Sequence, residues 1–169
     1  MGEIYNKRHK YMNNGVLIYE WEQSIDEINI YIDMNSKLVN KNDLNIEIKS
    51  KRITIGLKNP ENFLEGELFS IIDEDCFFWF IEDNNLHIFL TKVKKGESWN
   101  SVFKGHKNLN PVDEDNTKKQ IFLERFQQEY PNFDFFSASF NGQVPDARTF
   151  MGVFLLLSFF SLHIFALSR

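Results

Sequence analysis

The chain has 169 residues, of which 43% are hydrophobic and 25% are charged. This length suits one domain of roughly 100–150 residues with extensions, and the composition argues against wholesale disorder. The net charge of −5 argues against nucleic acid as the main partner, because phosphate binding needs a positive surface. Cys76 is the only cysteine, so an internal disulfide is excluded and a reducing, cytoplasmic location is favoured.

Residues 1–15 predict a flexible polar arm that ends at the turn signal Asn13-Asn14-Gly15. A period of two follows, in which apolar and polar side chains alternate along several short segments. These segments are 17–23, 28–33, 44–49, 53–58 and 86–91. Strict alternation places one face in a core and the other in water, which is typical of antiparallel sheets.

Two further segments predict strands of a different kind. Residues 63–69 are interrupted by Gly66, which indicates a bulge or a close backbone approach. Residues 76–81 are apolar on both faces, as expected of a strand that is covered on both sides. Turn signals separate the strands, and no helical period lies between them. The sequence therefore predicts an all-β fold, a seven-stranded antiparallel β-sandwich over residues 16–104.

Beyond Trp99 the alternation stops, and residues 105–116 predict a polar linker. Thr117 and Gln120 have the spacing of a capping box, so a C-terminal helix is expected to begin there and to end before Pro131. One apolar stripe follows this helix: Phe122, Phe126 and Tyr130. Residues 117–140 are interpreted as a helix and docking segment, and the stripe is expected to pack on its own sandwich or, alternatively, on a partner.

Several short motifs follow one another in a characteristic order. They are Tyr19-x-Trp21-x-Gln23, Leu64-Glu65-Gly66-Glu67-Leu68-Phe69, Cys76-x-x-Trp79 and Leu90-Thr91-Lys92. Together with the helix they resemble the CS (p23-like) domain of the NudC family, over about residues 16–152. Most of the resembling positions are expected to lie in the core: Tyr19, Trp21, Gln23, Gly66, Leu68 and Trp79.

The resemblance implies an HSP20-like chaperone fold and a co-chaperone function. Such proteins bind and stabilise client proteins together with the heat-shock protein 90 machinery, and their clients include dynein and nuclear-movement regulators. The resemblance brings no cofactor and no catalytic residue. The alternative function is a membrane-tethered adaptor module that binds proteins without chaperone activity.

The candidate partner-binding residues lie just beyond the last predicted strand. Family members often carry a Trp-Trp pair where this chain has Ser98-Trp99. Trp99 is the leading candidate, because aromatic side chains dominate binding hot spots. Lys92, Lys94 and Lys95 form a basic cluster beside it. The alternative for the lysines is a solvated set of charges that protects an edge strand from aggregation.

Catalytic and metal-binding patterns are missing from the sequence. Asp73, Glu74 and Asp75 lack the spacing and the glycine of a calcium loop. The histidines have no Cys or His partners at zinc spacing. Neither a Gly-x-Ser-x-Gly turn nor a Gly-rich phosphate loop occurs. The sequence therefore predicts a protein that is not an enzyme and works without a cofactor.

Residues 150–167 are almost uninterruptedly apolar. As a helix they would span about 27 Å, close to the roughly 30 Å of bilayer hydrocarbon. One interpretation is a transmembrane tail anchor that leaves the sandwich facing the cytosol. The other is a mis-translated intron, because Phe, Leu and Ser are all encoded by pyrimidine-rich codons.

Overall fold

The computed structural model describes residues 7–34, 44–57, 62–132 and 142–149. Eight strands and one helix lie in these ranges: β1 (His9–Asn13), β2 (Val16–Gln23), β3 (Glu27–Asp33), β4 (Leu44–Lys49), β5 (Arg52–Leu57), β6 (Asn62–Glu67), β7 (Ile72–Glu82), β8 (Asn85–Lys92) and α1 (Pro111–Glu129). The strands form a five-stranded sheet of order β1-β2-β3-β8-β7 and a three-stranded sheet of order β4-β5-β6. All pairs are antiparallel. The predicted β-sandwich with a C-terminal helix is confirmed, with eight strands rather than seven.

The core lies between the two sheets and is built from the alternating apolar residues. Ile30 on β3 and Ile88 on β8 are fully buried on one side, and Ile53 and Ile55 on β5 are fully buried on the other. Burying a large apolar side chain stabilises the fold by roughly 1.5–3 kcal/mol. The period-two pattern therefore determines which face of each sheet points inward.

Strand β1 corrects the prediction of a flexible arm up to residue 15. It pairs with β2, with Lys10 opposite Glu20 and Tyr11 opposite Tyr19. Asn14 and Gly15 both have a positive φ, at 49° and 80°. Two such residues suit the tight turn of a β-hairpin, whose twist matches the flanking strands. The Asn-Gly signal therefore marks a hairpin rather than the end of an arm, and residues 1–6 lie outside the described ranges.

Helix α1 begins earlier than predicted. Asn110 is its N-cap, and the Asn110 side chain accepts a hydrogen bond from the backbone N–H of Asp113 at 2.9 Å. Pro111 follows at the first helical position, where its missing N–H costs nothing. Thr117 is therefore buried inside the helix rather than capping it, and the predicted linker is wrong for residues 111–116. The predicted end before Pro131 is confirmed, because the helix stops at residue 129.

The helix docks on its own sandwich. Ile121 and Phe122 form a second apolar cluster with Ile25, which follows β2, and Ala147, and Phe126 packs against it. This confirms docking on the same domain for the first part of the predicted stripe. The last member, Tyr130, is 43% exposed and lies outside this buried cluster.

Strand β7 forms one edge of the five-stranded sheet. The expectation that it is covered on both faces is wrong, because Phe78 is 56% exposed and Cys76 is exposed. Trp79 points to the opposite face, where it is half-buried against the core. The residues 73–76 form a bulge, since the register with β8 shifts between Ile72 and Phe77.

The apolar tail, residues 150–167, and the predicted docking segment beyond residue 132 fall largely outside the described residues. Within the part of the chain that the structure describes, no helix is both long and apolar enough to span a bilayer. Both interpretations of the tail therefore stay predictions.

Candidate functional site

Trp99 lies in the core and not on a surface. Its side chain is fully buried and packs against Phe69, with ring centroids 5.8 Å apart. Its backbone N–H donates to Gln23 Oε1 at 2.9 Å, and its carbonyl accepts from Gln23 Nε2 at 2.7 Å. The prediction that Trp99 contacts a partner is corrected by this burial, because a folded partner cannot reach the ring.

Lys92 is also buried, at 2% exposure. Its Nζ donates to Gln23 Oε1 at 3.1 Å and to the carbonyls of Ser24 and Glu97, both at 2.8 Å. Three acceptors match the three N–H groups of an ammonium. Burial nevertheless lowers the pKa of Lys92 to about 7, although nearby carboxylates oppose that shift. Lys92 therefore holds buried polar groups together inside the fold. Both predictions for it, a contact with a partner and a solvated charge on an edge strand, are wrong.

Glu124 extends this buried network to helix α1. Its Oε2 accepts from the backbone N–H of Ile25 at 2.6 Å, and its Oε1 accepts from Gln120 Nε2 at 2.8 Å. Burial raises the pKa of the Glu124 carboxyl. The side chain thus ties the helix to the turn after β2, next to Lys92.

Lys94 and Lys95 do lie at the surface, unlike Lys92. Lys94 pairs with Glu97 at 3.8 Å, and Lys95 pairs with Asp26 at 3.3 Å. Exposed pairs of this kind contribute little to stability, typically about 0–1 kcal/mol. Both lysines stay candidates for contact with a partner.

The outer face of the five-stranded sheet carries an aromatic strip. We give this name to five side chains on β7, β8 and β3: Phe78, Phe80, His87, Phe89 and Tyr31. Phe78 lies opposite Phe89, and Phe80 and Tyr31 both lie opposite His87. The rings touch in sequence, with centroid distances of 4.4 Å for Phe78–Phe89, 4.8 Å for Phe80–His87 and 5.0 Å for Tyr31–His87.

A polar cavity continues the aromatic strip towards β2. The guanidinium carbon of Arg8 lies 3.8 Å from the centre of the Tyr31 ring, a cation–π contact. The Tyr31 hydroxyl donates to Glu22 Oε1 at 2.6 Å; burial and this bond raise the pKa of Tyr31 to about 12. The cavity has a volume of about 320 Å³, and Arg8, Glu20 and Asp33 are among its lining residues. Apolar and charged groups are thus presented side by side.

The aromatic strip is unusual for the solvent side of an antiparallel sheet, which is normally polar. Exposed apolar patches of this kind typically mark protein-interaction surfaces. Its members come from three strands whose inward residues build the core, so the strip rests on a rigid support. It can bind an apolar partner surface, but it offers no nucleophile–base pair.

Metal and thiol chemistry find little support in the described ranges. No group of three or more His, Cys, Asp or Glu residues within them is arranged to hold a metal ion. Cys76 is a free, exposed thiol, and the neighbouring Asp73 carboxylate raises the pKa of that thiol. A raised pKa lowers the thiolate fraction and hence the reactivity of the cysteine.

Sequence reasoning missed the aromatic strip, although a signal was present. Leu86, Ile88 and Leu90 define the inward phase of β8, so His87 and Phe89 occupy positions that should face water. Two rings at such positions indicate an exposed aromatic surface. The aromatic run on β7 hid this signal, because it was interpreted as a strand covered on both sides.

Comparison with known proteins supports the family resemblance that the sequence motifs predict. Residues 17–92 match the sequence profile of the CS domain. The chain is 29% identical over 126 residues to NudC domain-containing protein 2 of Homo sapiens, covering 73% of this chain and 79% of the relative. Residues 17–92 thus match a CS domain, and the chain resembles proteins of the NudC family. The nuclear movement protein nudC of Dictyostelium discoideum is 23% identical, in a match that covers 73% of this chain and 93% of the relative.

Among solved structures, the chain is similar to NudC domain-containing protein 2 from Mus musculus. That similarity has a TM-score of 0.37 and 24% identity, and it covers 79% of this chain and 100% of the other. The resemblance to the NudC family rests on the sequence matches.

Proposed function

We propose that this CS-domain protein is a co-chaperone that binds and stabilises client proteins through the aromatic strip. The observation that carries the proposal is the run of contacting rings on an outward sheet face, headed by Phe78 at 56% exposure. Co-chaperones of this kind act by binding and do not hydrolyse ATP themselves. The similarity to a nuclear movement protein supports clients among nuclear-movement regulators. The proposal further assigns partners in the heat-shock protein 90 machinery and clients among dynein regulators, as the resemblance of the motifs implies.

Aggregation and co-purification assays test this function. The purified chain is expected to suppress aggregation of a heat-labile test protein, or to co-purify with a heat-shock protein 90 type chaperone. The double variant Phe78→Ser/Phe89→Ser should lose most of that activity, because two contacting rings are removed. The control is Val112→Ser, which removes an exposed apolar side chain (68% exposed) from α1.

Circular dichroism must show that each variant is folded before the activities are compared. A folded wild type that neither suppresses aggregation nor binds a chaperone would refute the co-chaperone function. A folded double variant with full activity would remove the aromatic strip from the mechanism.

A further inference from the structure

We infer that the aromatic strip binds an extended apolar segment of a partner protein that carries Lys or Arg at both ends. The inference rests on the proposed function, since it names the kind of segment that the same surface accepts. It follows from the charges that border the strip.

Acidic side chains lie at the end of the strip near the β7–β8 turn. Glu82 follows Phe78 and Phe80 in the outward phase of β7 and lies opposite Asn85. Asp33 on β3 lies on the other side of the same Asn85. Both acidic residues are exposed. A basic group of a partner at this end would therefore meet two carboxylates on the strands that flank β8.

The opposite end of the strip is acidic as well. Glu27 on β3 is exposed and lies opposite Thr91 on β8. On the β7 side, Asp75 in the bulge is also exposed, whereas the Glu74 carboxylate accepts from the backbone N–H of Ser50 in the β4–β5 turn at 3.1 Å. Lys94 and Lys95, in the segment after β8, pair with Glu97 and Asp26. Glu27 and Asp75 are therefore the exposed carboxylates that a partner would meet at this end.

The basic residues Arg8 and Lys10, on the same sheet face, form ion pairs with carboxylates of β2. Lys10 lies 3.1 Å from Glu20, and Arg8 lies 3.9 Å from both Glu20 and Glu22. Their mixed-charge area borders the β3 side of the strip, because Arg8 lies over the Tyr31 ring and shares a cavity with Asp33. Glu82, on β7, is the acidic residue of that end that lies away from Arg8. The rings of β7 and β8 thus lie between two acidic ends, which complement a segment that is apolar in its middle and basic at its ends.

The distance between the acidic ends sets the length of the segment. Glu27 lies opposite Thr91 and Glu82 lies opposite Asn85. Thr91 and Asn85 are six positions apart on β8, and a strand rises about 3.3 Å per residue, which gives about 20 Å. An extended segment parallel to the strands would therefore place its basic residues about six positions apart, on one face. Apolar side chains at alternate positions between them would face the rings.

A second copy of this chain fits the strip poorly. Both ends of the strip are acidic, so a two-fold pairing of two strips brings like charges together in either strand direction. Like charges across an interface oppose association and thereby select against the wrong partner. The occupant that the charges favour is a partner segment of opposite charge.

Peptide binding to the 169-residue chain tests the inference. The probe is a fluorescent ten-residue peptide with Phe or Leu at alternate central positions and two Lys at each end. The comparison peptide has Glu in place of Lys. By fluorescence anisotropy, the Lys peptide should bind about tenfold tighter than the Glu peptide. This preference should shrink between about 0.1 M and 1 M salt, because the Debye length falls from about 10 Å to 3 Å.

Two variants of equal net charge separate the strip from general electrostatics. Glu27→Lys/Glu82→Lys changes one acidic residue at each end of the strip and should abolish or reverse the preference. Glu47→Lys/Glu129→Lys changes two carboxylates on β4 and α1 and should leave the preference intact. Phe78→Ser should weaken the binding of both peptides.

Three results would overturn the inference. The first is equal binding of the Lys peptide and the Glu peptide by the wild type. If that wild type still suppresses aggregation, the proposed co-chaperone function is retained and only the inference is refuted. The second is loss of the preference in the Glu47→Lys/Glu129→Lys control. The third is sedimentation as a dimer that Phe78→Ser converts to a monomer, because the occupant would then be a second copy.

Discussion

Replacing Gly66 by alanine is expected to destabilise the fold by about 1–2 kcal/mol, because β6 passes directly over a buried ring. An added Cβ would lie 2.6 Å from Cδ1 and 3.2 Å from Cγ of Phe103. The ring cannot retreat easily, since Phe103 is fully buried and packs against Tyr19 and His106 with centroids 5.8 Å and 5.1 Å away. Overpacking of this kind costs about 1–3 kcal/mol. The loss of glycine flexibility in a strand offsets only about 0.5–1 kcal/mol of that cost.

A double-mutant cycle with Phe103→Leu tests this reasoning. Leucine is smaller at the point of contact, so Gly66→Ala should cost less in the Phe103→Leu background, by about 1 kcal/mol. The free energies of unfolding come from urea titrations followed by tryptophan fluorescence, compared at constant m-value. The control Glu65→Ala changes the exposed neighbouring position on β6 and should not couple to Phe103→Leu. Additive effects of Gly66→Ala and Phe103→Leu would refute the steric explanation.

Two further predictions concern the buried network and the helix. Because the pKa of Lys92 is lowered to about 7 in the fold, the unfolded chain binds more protons above pH 7. The quantity to compare is the difference in the free energy of unfolding between the wild type and Lys92→Met, measured by urea titrations. This difference should rise between pH 7 and pH 9, by at most about 1.4 kcal/mol per pH unit. A difference that stays constant over that interval would contradict the lowered pKa of Lys92. Ile121→Ala should cost about 2–5 kcal/mol because its side chain is fully buried, whereas Val112→Ala on the same helix should stay within about 0.5 kcal/mol. Equal thermal denaturation midpoints for these two variants would show that α1 is not docked as described.

The fold could be predicted from the sequence because its signals are local. Alternation along β3, β5 and β8 records which face is buried, and that pattern needs no knowledge of distant residues. The two errors in element bounds arose where one local signal has two meanings. Asn14-Gly15 ends an arm as readily as it closes a hairpin, and only the pairing of Tyr11 with Tyr19 distinguishes them. Asn110 and Thr117 are both residue types that cap the start of a helix, and only the structure shows that α1 begins at Asn110.

Trp99 and Lys92 were wrongly predicted to lie at the surface, because contacts between distant parts of the chain bury them. The acceptors of Lys92 include Gln23 and Ser24, which lie 69 and 68 positions away. A lysine next to other lysines suggests a solvated cluster, and nothing in the local sequence reveals that these oxygen atoms surround it. Trp99 is held by the same Gln23 side chain, 76 positions away. Burial of both residues is therefore a property of the assembled fold.

The division between the two sheet faces makes the proposed function separable from stability. On β8, Phe89 lies between Ile88 and Leu90, which are fully buried on the opposite face. Shortening Phe89 or Phe78 removes contacts between rings on the outer surface and leaves that interior packing in place. Loss of binding in a variant of the strip, with an unchanged free energy of unfolding, would therefore report on recognition itself. Changes at Lys92 are expected instead to act through the fold, because its side chain faces the interior.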